Sequence, residues 1–113
     1  MMLSVTEPTV PRVVLVSSQP VLVHFWAPWC GLCRLINPLL LKHQSQWEGQ
    51  LKLVSINADE NLKLATTYRL KSLPTLIVFE RGSVIHRLEG FNGREDLRRT
   101  LETIVVSLLA QSA

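Results

Sequence analysis

The hydrophobic pattern of the chain changes period several times, and each change marks an element. Residues 21–27, VLVHFWA, form a continuous apolar and aromatic run, the pattern of a strand buried on both faces in the middle of a sheet. From 29 to 47 the apolar positions Leu32, Leu35, Ile36, Leu39 and Leu40 recur at the spacing of one helical face. Pro38 sits inside that run. It removes a backbone donor and crowds the preceding turn, which predicts a bend over 34–38 in a helix that survives it. Residues 51–57 predict a second strand, and 61–68 a short helix with Leu62, Leu64 and Ala65 turned inward.

Beyond residues 72–74 the β-branched run 75–80, a tight turn at Arg81 and Gly82, and a returning run 83–89 predict a hairpin. Residues 93–109 close the pattern as an amphipathic helix with Leu97, Leu101, Ile104, Val105 and Leu108 in one stripe. The start reads less regularly: 3–6 as a short edge strand, and 11–18 as a short helix opened by Pro11. The order βαβα followed by ββα predicts an α/β fold. Its central mixed sheet is parallel in its first half and antiparallel in its second, with helices on both faces.

Size and composition narrow the class without changing this picture. At 113 residues the chain is about one domain's worth, 1–113, with no linker, repeat or low-complexity segment. Nearly half the residues are apolar and 19% are charged, a globular balance. The net charge of +3 is scattered, and no basic stripe interleaves with aromatics, so nothing points to nucleic acid. Residues 1–8 lack a basic start, the run 13–16 is too short for a signal core, and no stretch approaches the roughly 20 apolar residues of a membrane helix. A cytoplasmic monomer without membrane contact is expected.

Two cysteines cannot build a disulfide scaffold, and in a reducing compartment a structural disulfide does not persist. Cys30 and Cys33 stand after the buried strand and at the start of a helix, where first-turn N–H groups favour a thiolate. Cys33, one turn along, can attack a mixed disulfide formed at Cys30, which makes the pair a candidate dithiol relay. The alternatives are inert buried thiols or half of a metal site. His24, His43 and His86 are isolated in sequence and no second CxxC exists, so a zinc site would need a partner chain.

Phe25, Trp26, Ala27, Pro28, Trp29, Cys30, Gly31, Leu32 and Cys33 together resemble the active-site segment of the thioredoxin family. The resemblance extends over most of the chain, through Pro38, Asn57, Asp59, Leu73, Pro74, Thr75, Gly82 and Gly90. It implies the thioredoxin fold, with Cys30 attacking a target disulfide, Cys33 resolving it and no bound cofactor. It also implies a cis peptide bond before Pro74, beside the sulfurs, and a groove lined by Trp29, Leu32, Leu73, Pro74, Gly90 and Phe91 that takes an extended substrate strand. Trp26 is expected in the core and Trp29 at the surface. The implied partners are disulfide-bearing proteins and a reductase that recharges the pair.

Four positions depart from the family pattern. Leu32 replaces the usual proline and restores an N–H near the Cys30 sulfur, which predicts a more stabilised thiolate and a weaker reductant. His24 stands where the family carries a buried aspartate that takes the proton of the resolving cysteine, and Ser55 where that aspartate has a lysine neighbour. His24 is therefore a candidate proton acceptor for Cys33, against the alternative of a hydrogen-bonded core histidine. Phe91 replaces a small residue and narrows the groove. The leading expectation is a protein-disulfide reductase. A thioredoxin-fold binding protein with weak turnover and a more oxidising oxidase or isomerase are the alternatives.

Overall fold

The computed structural model describes residues 3–47 and 49–111; residues 1, 2, 48, 112 and 113 of the expected domain lie outside the described residues. Five strands form one sheet: β1 (Leu3–Ser4), β2 (Val21–Trp26), β3 (Lys52–Asn57), β4 (Thr75–Glu80) and β5 (Ser83–Leu88). Their spatial order is β1-β3-β2-β4-β5. β1 and β2 run parallel to β3, while β4 runs antiparallel to β2 and to β5. Among the described residues three α-helices flank the sheet: α1 (Gly31–Trp47), α2 (Leu62–Thr67) and α3 (Arg94–Gln111). The mixed sheet and its βαβα-ββα order agree with the sequence pattern.

β2 is central because its residues have something to bury on both sides. Val21, Val23 and Phe25 face a cluster built with Val10, Val14, Ile56 and Phe79, joined by Leu64 and Tyr68 from the α2 region. Leu22 faces the opposite cluster, with Ile36 and Leu40 of α1 and Leu97 and Leu101 of α3. The alternation of a strand thus welds two layers through one segment, placing the loop after β2 at the centre of the sheet's edge.

The segment before β2 departs from a simple helix. A 3-10 turn at Glu7–Thr9 is followed by a π-helical turn at Pro11–Leu15, since Pro8 and Pro11 interrupt regular donor patterns. Glu7 then fastens α2: its amide donates to Asn61 Oδ1 at 2.9 Å and its Oε1 accepts the Lys63 N–H at 3.0 Å. That tether supplies the start of a six-residue helix with the acceptor its own sequence lacks.

Two inward assignments are corrected. Leu62 is 67% exposed, because α2 is so short that Leu64, Ala65 and Tyr68 fill its inner side. Leu35 is 52% exposed, lying off the buried arc set by Cys33, Ile36 and Leu40. α1 runs unbroken through Pro38, which lies on its exposed side.

The hairpin turn has positive φ at both Arg81 (52°) and Gly82 (84°), the two-residue geometry that matches strand twist. A Cβ on Gly82 would lie 3.0 Å from the Leu15 carbonyl oxygen. Gly82→Ala therefore combines left-handed backbone with a close approach, and a loss of about 1–2 kcal/mol is expected in urea unfolding. An unchanged midpoint would show that the π-helical turn yields freely.

Candidate functional site

β2 ends at Trp26, and the chain turns through Ala27 and Pro28 before α1 begins at Gly31. The turn is closed by the Cys30 N–H on the Ala27 carbonyl at 3.1 Å, and by Arg34 Nη2 donating to the Pro28 carbonyl at 2.7 Å. Cys30 consequently occupies the position just before the helix, where a side-chain acceptor reaches the N–H three residues on. Its sulfur does this: the Cys33 N–H donates to Cys30 Sγ at 3.2 Å. The expectation placed the Leu32 amide near that sulfur; the donating amide is that of Cys33, because the third helical residue points its N–H back at the capping position.

Cys30 and Cys33 are joined as a disulfide, their Cα atoms 5.3 Å apart. Both are buried, in a small cluster with Ala27, against which Trp26 and Leu73 pack. The Leu73–Pro74 peptide bond is cis. Pro74 is buried and Leu73 half-buried, just before the first ladder residue, Thr75, so the Leu73 backbone is not committed to the β2–β4 register. Thr75 Oγ1 donates to the Ser72 carbonyl at 2.7 Å and holds the loop from below.

Trp26 is half-buried against the cysteine cluster rather than fully in the core, while Trp29 is 69% exposed. The Trp29 indole is not free: Nε1 donates to Asp59 Oδ2 at 2.9 Å. Asp59 is held in turn by Asn57, whose Oδ1 accepts the N–H groups of Asp59 and Glu60 at 2.9 and 3.3 Å. Sequence reasoning noted Asn57 and Asp59 without giving them a site role; the available signal was an asparagine at a strand end, which favours such a turn. Beside the indole lies an open groove of about 210 Å³ bounded by Trp29, Asp59, Leu62, Ala65, Lys71 and Leu73. The exposure of Leu62 thus belongs to this side of the site.

Gly90 has φ +70° and is exposed at the end of β5, and Phe91 follows half-buried. Leu32 and Phe91 both lean on the cluster beneath α1 and α3. His24 sits in β2 between Ser55 of β3 and Leu76 of β4, fully buried. Burial pushes its pKa from 6.5 to about 4, opposed in part by Asn37. Neither ring nitrogen has a hydrogen-bond partner of proper geometry among the described residues, nor does Asn37 Oδ1.

Among the described residues no three His, Cys, Asp or Glu side chains are grouped to hold a metal, and the His43 side chain lies outside that description. A cysteine pair that closes on itself at a helix start exchanges two electrons with other sulfurs, and the protein is a thiol-disulfide oxidoreductase. A family model described as Thioredoxin matches residues 2–103. Thioredoxin 1 of Nostoc sp. is 43% identical over 87% of this chain and 92% of its own length. The thioredoxin of Synechocystis sp. is 44% identical over 79% and 83%. The bifunctional thioredoxin reductase/thioredoxin of Mycobacterium leprae is 36% identical over 94% of this chain and 23% of that protein. The chain belongs to the thioredoxin family. It is a protein-disulfide reductase whose redox group is its own disulfide.

Proposed function

We propose that Cys30 is the nucleophile and Cys33 the resolving thiol, in a groove formed by Trp29, Leu73, Pro74 and Gly90 and bordered by Leu32 and Phe91. The observation that carries this assignment is the Cys30 sulfur capping α1 through the Cys33 amide. A negative sulfur in that position meets a charge-assisted N–H and the positive end of a 17-residue helix. Cys33, inside the first turn, has no comparable set of donors ahead of it.

In the first step the Cys30 thiolate attacks one sulfur of a target disulfide; that bond breaks and the other target sulfur leaves as a thiolate. In the second, Cys33 gives up its proton and attacks Cys30 Sγ, expelling the remaining target thiolate and forming the internal disulfide. Two electrons have then passed to the target, and a thioredoxin reductase returns them. The naming of a mycobacterial relative that unites both proteins supports that donor. Because both sulfurs are buried, a target reaches them only by entering the groove, with Leu73 offering its uncommitted backbone to an extended segment.

His24 acts toward Cys33 in this proposal as a neutral acceptor. It lies beneath α1 beside Asn37, one turn beyond Cys33, and a pKa near 4 lets it accept a hydrogen bond but not keep a proton at neutral pH. No described helix is long and apolar enough to cross a membrane, and the reading adopted is of a cytoplasmic monomer.

Leu32 tunes the pair. Its N–H is one of the unsatisfied donors of the first turn and adds to the field that stabilises the Cys30 thiolate. Leu32→Pro removes that donor, and the reduced pair should become a stronger reductant by about 30 mV or more, a tenfold change in the exchange constant. Equilibration of both forms against a glutathione series checks this. An equal or higher potential in Leu32→Pro refutes the field argument, and a strongly oxidising native value moves the role from reduction toward oxidation or isomerisation.

A further inference from the structure

The two walls of the proposed groove come from distant parts of the chain: residues 70–74 between α2 and β4, and residues 89–91 after β5. One side chain touches the supports of both. Arg87, on edge strand β5, donates through Nη1 to the Tyr68 carbonyl and through Nη2 to the Arg69 carbonyl at 2.8 Å. The same guanidinium donates from Nε to Glu89 Oε1 at 3.1 Å and from Nη2 to Glu89 Oε2 at 3.4 Å.

Tyr68 and Arg69 are where α2 stops. Arg69 adopts φ +52°, the carbonyls of Leu64, Ala65 and Thr66 are met by the N–H groups of Tyr68, Leu70 and Arg69, and the last turn of α2 contains no basic residue for the Tyr68 and Arg69 carbonyls that follow. Arg87 supplies that cation from the sheet, where a positive group is favoured by the carbonyl end of a helix. The Tyr68 ring is itself anchored, edge-on to Phe79 at 5.5 Å and tilted to Phe25 at 6.0 Å. The other arm holds Glu89, the residue directly before Gly90. An ion pair 30% and 33% exposed contributes little by itself, so the significance of Arg87 lies in joining the two segments. The planar fork makes these bonds together, which a lysine cannot do.

We propose that Arg87 is a positioning residue for protein substrates: it spaces the Leu73–Pro74 wall against the Gly90 wall, so that an extended target segment meets a preformed groove. This rests on the groove assigned under the proposed function. Arg87 touches neither sulfur, and its influence falls on binding of a polypeptide more than on the exchange chemistry.

The test is steady-state reduction of a protein disulfide and of a small aromatic disulfide by Arg87→Met, Arg87→Lys, Glu89→Gln and Leu73→Gly. Arg87→Met is expected to raise KM for the protein about tenfold relative to KM for the small disulfide, since preorganisation of the binding surface is lost. Arg87→Lys should recover only part of this, and Glu89→Gln, which weakens one arm, should show a smaller rise. The redox potential of the cysteine pair should not move in the Arg87 variants. A parallel rise in both KM values, or full recovery by lysine, would mean a general structural role and overturns the proposal. An unchanged ratio in Arg87→Met with a raised ratio in Leu73→Gly overturns the proposal and leaves the groove standing. An unchanged ratio in both removes the groove reading, and the proposal with it.

Discussion

Cys33→Ser turns the protein from a catalyst into a trap: mixed with an oxidised protein substrate, it accumulates as a covalent complex through Cys30, and turnover falls about a thousandfold or more. The magnitude follows from what Cys33 supplies. Its Cα, in the first turn of α1, is 5.3 Å from that of Cys30 just before that helix, so resolution is intramolecular. Well-oriented intramolecular groups act as if present at about 10⁵ M or above, far beyond any external thiol. With Cys33 gone, the mixed disulfide waits for a thiol from solution, screened by the groove around the buried sulfurs. Serine keeps the backbone N–H that donates to Cys30 Sγ, so the first step survives. Non-reducing electrophoresis with mass spectrometry reads the outcome. Trapping by Cys30→Ser, and not by Cys33→Ser, would mean that the two roles are reversed.

The second large effect is on stability and comes from His24. In the unfolded chain the imidazole takes a proton near 6.5, whereas in the folded protein burial holds it neutral down to about 4. Between those values unfolding takes up a proton, so stability falls as the pH is lowered; above 6.5 both states are neutral and below 4 both are charged. The full difference is roughly 3 kcal/mol at about 1.4 kcal/mol per pH unit, and about 2 kcal/mol of it is gone by pH 5. Among the described residues burial and the opposing Asn37 side chain are what shift the ring, and no charged group is among these causes. His24→Leu abolishes that acid dependence and removes two buried nitrogens that have no partner of proper geometry among the described residues, which should stabilise the protein by about 1–2 kcal/mol at pH 7. The same variant should resolve mixed disulfides more slowly, a gain in stability at the expense of function. Urea unfolding at pH 7 and pH 5 tests the first part. A histidine protein and a leucine variant that lose stability equally on acidification would show that His24 is not buried neutral in solution.

How much of this was legible beforehand depended on how local each cause is. The β2 run, the hairpin and the α3 stripe were readable because periodicity and turn residues fix them within a few neighbours. Cys30 and Cys33 were readable because their spacing and their place at a strand-to-helix junction are themselves the chemistry. Leu62 misled because six residues are too few for the helical period to define a face, and its surroundings are set by Trp29 across the groove. The Cys33 amide was overlooked in favour of Leu32 because sequence names the substituted residue, whereas the geometry of a helix start selects the donor. Arg87 gave no sign of joining two segments: apart from Glu89 beside it, its partners are carbonyl oxygens 18 and 19 positions away, which any residue types would provide. The N-terminal segment was blurred for a related reason, since Glu7 acts on residues 54 and 56 positions further along.

The most direct test of the account is multiple-turnover reduction of a protein disulfide by the intact chain, with a chemical reductant supplied at a level that is slow alone. The account predicts acceleration that saturates with substrate, disappears in Cys30→Ser, and yields the trapped complex in Cys33→Ser. No acceleration over the reductant, or acceleration that persists in Cys30→Ser, would contradict it.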